Sequence, residues 1–148
     1  MERRISELLA SKGKGLHALG PDDTVADAVH LMNRENIGAV MVFDPEERLM
    51  GLFTERDVLR RVIDGRLDYK TTRLEDVMTR RLATLKPSMI VEEALQLVNQ
   101  VGCRHLPVLD GDRVLGMISI RDLTNTLVEA RDAEISELTE YIAGSYGH

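Results

Sequence analysis

The sequence predicts an α/β (α+β) fold that uses one β-α-β-β-α unit twice, the two copies related by a pseudo-two-fold axis. Three observations carry this prediction. A shift of 66 residues superposes Pro21 on Pro87, Val25 on Val91, Ala28 on Ala94, Leu31 on Leu97, Val42 on Val108 and Asp44 on Asp110. Once a residue is dropped in a turn, a shift of 65 superposes Arg48 on Arg113, Gly51 on Gly116, Arg56 on Arg121 and Asp57 on Asp122. Within each copy the apolar pattern passes from helical spacing to short continuous runs and back. The copies are assigned to residues 1–65 and 66–128, and residues 129–148 to a C-terminal amphipathic helix and tail.

Each element has a local reason. Upstream, Ile5-Ser-Glu-Leu-Leu matches Leu74-Glu-Asp-Val-Met at a shift of 69. A short leading strand is expected near Leu16–Leu19 in one copy and Leu82–Leu85 in the other. Thr24 precedes Val25, Ala28, Val29 and Met32, an amphipathic helical stripe, and Asp27 stands where a capping box places its acid. Ala39–Phe43 is a continuous apolar run, as expected of a strand buried on both faces. Asp44-Pro-Glu-Glu is a turn, Leu49–Phe53 a second strand, and a helix follows from Glu55 with Val58, Leu59 and Val62 inward. The second copy repeats this with helix Val91–Gln100, strands Leu106–Leu109 and Val114–Ile118, and a helix from Ile120. Pro107 marks its strand as an edge, or as having its missing N–H outside the ladder. Each copy is marginal alone, so the two are expected to share one core, with two equivalent clefts between them. Beyond Glu129, Ile135, Leu138 and Ile142 form a further apolar stripe, stopped by Gly144.

Composition narrows the function. The 148 residues are 43% hydrophobic and 30% charged, with no Trp, three Tyr and two Phe, so the core is aliphatic. The longest apolar run, Ile37–Phe43, is far shorter than the roughly 20 residues of a membrane helix. The N-terminus lacks the apolar segment of a secretory signal. One cysteine suits a reducing compartment, and the cytoplasm is the expected location. A net charge of −6 argues against nucleic acid as a partner.

The motifs Arg104-His-Leu-Pro-Val-Leu-Asp110, Gly51-Leu-Phe-Thr-Glu-Arg-Asp57, Gly116-Met-Ile-Ser-Ile-Arg-Asp122 and Asp76-Val-Met-Thr79, set in this duplication, resemble a pair of cystathionine-β-synthase (CBS) domains. The resemblance spans nearly the whole chain. It implies a stand-alone Bateman module, a non-enzymatic regulatory unit that senses AMP, ADP, ATP or NAD(H) and requires no cofactor. It also implies a homodimer and a separate downstream protein that receives the signal.

The residues have their own physical case. Thr54-Glu-Arg-Asp57 and Ser119-Ile-Arg-Asp122 lie where a strand ends and a helix begins, a position that offers backbone N–H groups and the positive end of the helix dipole to an anion. A hydroxyl there can bond a phosphate or ribose oxygen, and a carboxylate accepts the two donors of a ribose diol. The same spacing is also a plain capping box, and both readings stand. Arg56 and Arg121 place a cation at a helix start in both copies, which opposes the dipole unless an anion is near. Solvated or acid-paired arginines are the alternative. With so few aromatics, Leu52, Met117, Val40 and Leu106 are expected to sandwich the base. The resemblance adds Gly38, Ala39, Arg104 and His105 to the cleft walls, with charge only in the second pair, so the clefts are expected to differ in affinity.

The remaining signals are weaker. His17, His30, His105 and His148 are scattered, and with Cys103 they make no metal-ligand spacing. Lys12-Gly-Lys-Gly15 lacks phosphate-loop spacing and reads as a turn whose lysines reach a terminal phosphate. Two other function classes are weighed: a dimerisation adaptor without ligand, and a nucleotide-processing enzyme, for which no catalytic constellation is evident.

Overall fold

The computed structural model describes residues 2–13 and 15–146, with side chains through Ala143. The elements are α1 (Ile5–Lys12), β1 (Ala18–Leu19), α2 (Val25–Glu35), β2 (Ala39–Phe43), β3 (Leu49–Thr54), α3 (Glu55–Asp57, continuing as a π-helical segment over Val58–Ile63), α4 (Leu74–Val77), α5 (Val91–Val101), β4 (His105–Asp110), β5 (Arg113–Ser119) and α6 (Ile120–Tyr146). β1 runs parallel to β2, and β2 antiparallel to β3. β4 and β5 form the matching antiparallel pair. The Thr24 capping box forms as the spacing predicts: Asp27 N–H donates to Thr24 Oγ1 at 3.2 Å, and Thr24 N–H to Asp27 Oδ2 at 3.0 Å.

Pro107 explains why the third strand differs between copies. In the first copy Met41 N–H donates to His17 O, which holds β1 against β2. Pro107 occupies the equivalent place and has no N–H. The leading strand of the second copy shrinks to a single bridge at Leu85, which donates to Pro107 O and accepts from Leu109 N–H.

The expectation of one shared core is corrected. Two cores form, and each takes its leading helix from the other half of the sequence. Ile5 and Leu8 of α1 pack with Leu85, Val91, Ala94, Leu106, Val108, Ile118 and Leu123. Leu74, Val77 and Met78 pack with Val25, Ala28, Met32, Val40, Val42, Phe53 and Val62. The backbone bonds are reciprocal. Ile5 N–H donates to Met89 O, Ser6 N–H to Pro87 O and Val91 N–H to Arg3 O; in the other half Leu74 N–H donates to Asp23 O, Glu75 N–H to Pro21 O and Val25 N–H to Thr72 O. These are the same bonds displaced by the repeat, as a pseudo-two-fold axis requires.

The paired glycines make room for this exchange. A Cβ on Gly51 would lie 2.6 Å from Thr79 O, and one on Gly116 would lie 2.6 Å from Leu9 Cδ1. Leu59 departs from expectation: it is exposed, because the π-helical winding from Val58 turns it away from Val62, which stays buried. α6 continues unbroken past Glu129 and through Gly144, since no proline interrupts it and helix formers such as Ala130, Glu134 and Ala133 carry it on.

The exchange predicts that Ile5→Ala destabilises the chain by about 2–5 kcal/mol, as for other large-to-small core changes, although Ile5 lies near the terminus. Gly51→Ala is expected to cost about 1–3 kcal/mol through overpacking against the Thr79 backbone. Urea unfolding of both variants checks this, and near-wild-type midpoints would contradict the exchanged packing.

Candidate functional site

Strand alternation decides which predicted residues reach a crevice. Val40, Val42 and Phe53 point into the first core, so Ala39, Met41, Leu52 and Thr54 share the opposite face of the sheet. In the second copy Leu106, Val108 and Ile118 point into the core, leaving His105, Pro107, Met117 and Ser119 on the other face. Val40 and Leu106 are therefore corrected: both are fully buried among their own helices and cannot flank a base. Ala39 is fully buried as well and offers no cleft surface.

Six of the predicted residues come together. Leu52, Thr54, Arg56, Asp57, Arg104 and His105 line one crevice of about 540 Å³, whose walls come from both copies. Thr54 and Asp57 form the capping box at the start of α3. Thr54 N–H donates to Asp57 Oδ2 at 3.0 Å, and Asp57 N–H donates to Thr54 Oγ1 at 3.2 Å. Asp57 does more than cap, because Thr79 Oγ1 donates to its Oδ1 at 3.0 Å and Arg61 Nε lies 3.5 Å from Oδ1. The carboxylate is buried, with its own turn, a hydroxyl and a guanidinium as partners.

Sequence reasoning missed Thr79, Arg60, Arg61 and Arg81, which also line this crevice. Arg61 is committed to structure, donating to Val77 O and Met78 O at 3.3 and 3.0 Å. Arg56, Arg60, Arg81 and Arg104 are exposed, and among the described residues none makes an ion pair. Arg56 is thus not the acid-paired cation of the alternative reading. Four guanidiniums around one crevice of a chain with net charge −6 concentrate positive potential there. Leu52, Leu82 and Ala83 supply the apolar part of the wall, and Cys103 stands on it half-buried.

The second set is arranged differently. Ser119 N–H donates to Asp122 Oδ2 at 2.8 Å, and Asp122 N–H to Ser119 Oγ at 3.2 Å, the same box at the start of α6. Here Lys12 Nζ also sits 2.8 Å from Asp122 Oδ2 and 2.9 Å from Met117 O. Arg121 is exposed on the first turn of α6. Gly38 lies beneath charged side chains: a Cβ there would be 3.1 Å from Glu55 Oε1 and 3.3 Å from His105 Nε2. Lys14 and His148 lie outside the described residues.

His105 joins the two regions, lining the open crevice while feeling Asp122 and Lys12 of the other. Burial pushes its imidazole pKa down, opposed by Glu55 and Asp122 and aided by Lys12 and Arg104, and the net direction is down. The folded imidazole therefore takes up its proton at lower pH than the unfolded one. Below about pH 6.5 the unfolded chain binds more protons, and stability falls on acidification. His105→Gln is expected to flatten that part of the stability profile between pH 7 and 5, measured by chemical unfolding across the range. Parallel wild-type and variant profiles would contradict the assignment.

Comparison with known proteins agrees with this geometry. The CBS domain model matches residues 12–64 and 74–129. A mitochondrial CBS domain-containing protein, CBSX3 of Arabidopsis thaliana, is 38% identical over 96% of this chain and 73% of its own. A solved structure with CBS domains from Burkholderia ambifaria, described as a signal-transduction candidate, is 33% identical with TM-score 0.81 over 86% of this chain and 95% of its own. A Pyrobaculum aerophilum CBS domain protein complexed with AMP has the same fold, at 23% identity and TM-score 0.72 over 81% of this chain and 89% of its own. Two matches to one family model, in the two halves of a duplicated sequence, place the chain: it belongs to the CBS-domain proteins, as a tandem pair.

Proposed function

We propose that the chain is a non-enzymatic regulatory module that binds an adenine nucleotide in the Asp57 crevice and passes its occupancy to a separate protein. The observation that carries this reading is the four-arginine wall beside the Thr54–Asp57 turn. Unpaired guanidiniums at a helix start suit a phosphate, which they hold bidentately. The crevice volume of about 540 Å³ falls within the usual range of small-molecule sites. Leu52, Leu82 and Ala83 offer an apolar surface to a base. Asp57 accepts from Thr79 Oγ1 and lies 3.5 Å from Arg61 Nε, so a ribose hydroxyl reaching this carboxylate takes over the Thr79 bond. The AMP-bound Pyrobaculum relative supports AMP as the first ligand to test, with ADP, ATP and NAD(H) after it. The lone Cys103 suits a reducing cytoplasm, and among the described residues no helix is long and apolar enough to cross a membrane.

The proposal includes a homodimer. Ile63 and Val128 occupy equivalent positions in the two copies, and both are more than half exposed. Ile135, Leu138 and Ile142 extend the apolar surface along α6. An interface using both copies covers these residues. In sedimentation equilibrium the wild-type chain is expected to run as a dimer, and Ile63→Glu is expected to shift it toward monomer. A wild-type monomer would remove this part of the proposal.

Isothermal titration with AMP tests the ligand. Binding is expected, and Arg104→Ala is expected to weaken it by about 1.5–3 kcal/mol, the scale of a lost charged hydrogen bond. AMP is also expected to slow maleimide modification of Cys103, which shares the crevice wall. No heat and no protection with any of the adenosine ligands at millimolar concentration would overturn the reading. Product formation on prolonged incubation with ATP and Mg²⁺ would favour an enzyme instead.

A further inference from the structure

The two strand-to-helix turns, Thr54–Asp57 and Ser119–Asp122, carry the same capping box but set different partners on the carboxylate. The repeat shift of 69 that relates α1 to α4 places Ala10 opposite Thr79 and Lys12 opposite Arg81. Beside Asp57, the Thr79 hydroxyl donates to the carboxylate, Arg61 Nε lies 3.5 Å away while donating to Val77 O and Met78 O, and Arg81 stays exposed on the crevice wall. Beside Asp122 it is the ammonium of Lys12 that enters. It donates to Asp122 Oδ2 at 2.8 Å and to Met117 O at 2.9 Å, with side-chain exposures of 28% for Lys12 and 24% for Asp122.

Lys12 is not a loosely tethered surface lysine. It ends α1, whose Ile5 and Leu8 are locked in the second core, and Gly13 in the left-handed conformation (φ 62°) closes the helix directly after it. The core thus holds the ammonium at its place. Burial pushes the Asp122 carboxyl up, but the Lys12 ammonium and the Ser119 bonds outweigh it and leave the carboxyl below the usual range. A ligand reaching Asp122 would have to break a charge-assisted bond whose donor is part of the same chain, always at high effective concentration.

We infer that Lys12 is a built-in occupant of the second crevice, taking on Asp122 the place a ribose hydroxyl would take, so that the chain holds one nucleotide rather than two. The inference rests on the nucleotide reading of the Asp57 crevice and adds its stoichiometry and the residue that sets it. Where Lys12 withdraws, a second site opens.

Equilibrium dialysis with AMP into the millimolar range measures the number of sites per chain for the wild type, Lys12→Met and Lys12→Gln, each checked for a cooperative thermal transition. The wild type is expected to bind one AMP. Both variants are expected to bind two, the added site within about tenfold of the first in affinity, and Lys12→Met with Asp122→Asn is expected to lose the added site again. An equal number of sites in the wild type and the folded Lys12 variant overturns the inference, whatever that number is. A wild type that binds none while Lys12→Met gains one leaves the inference standing and sinks the reading of the Asp57 crevice, so the two failures are distinguishable.

Discussion

Each half of this protein completes its hydrophobic core with a helix from the other half, and the remaining features follow from that exchange. A unit of some sixty residues buries too little surface to stand alone. Ile5 and Leu8 close the second core, and Leu74, Val77 and Met78 close the first. The exchange makes the pair one cooperative object. It also brings the end of each leading helix against the strand-to-helix turn of the opposite half, which is where the crevices lie.

From that placement comes the inequality of the crevices. Thr79 arrives at Asp57 and Lys12 at Asp122. At Asp57 the Thr79 hydroxyl and Arg61 are the partners, and Arg56, Arg60, Arg81 and Arg104 stay exposed. An ammonium satisfies the carboxylate and neutralises it together, and so fills the second. The leading segments also end differently: α1 continues as a helix to Lys12, whereas α4 stops at Val77 and Thr79 bridges to Leu52. His105, on the wall of the open crevice, also lies within the field of Lys12 and Asp122.

Much of the candidate site was legible before the fold was known. Thr54, Arg56 and Asp57 could be placed because capping geometry is local: a hydroxyl three residues before an acid, after a strand, already sets the turn. Arg104 and His105 were found through the family motif that carries them. Val40 and Leu106 were misplaced for a reason that strand geometry makes plain. Successive side chains alternate across a sheet, so a strand that gives His105 to the crevice must give Leu106 to the core. A continuous apolar run conceals that alternation, because successive residues of β2 and the middle of β4 are buried whichever face they occupy. Thr79 stood in the Asp76–Thr79 motif without a role, and Arg60 and Arg81 escaped because only the packing of distant segments brings them to the crevice wall.

The sequence by itself determined the duplication, the order of helices and strands and the capped turns, because each depends on neighbours within a few residues or on the repeat read against itself. Pro107 likewise settles locally that one backbone donor is missing. Only the tertiary structure decided that the leading helices cross over, that two cores form instead of one, and that Lys12 meets Asp122 across 110 positions of chain. Such contacts depend on how whole elements stack, and stacking is governed by the shape and burial of surfaces far apart in sequence, which no local pattern records.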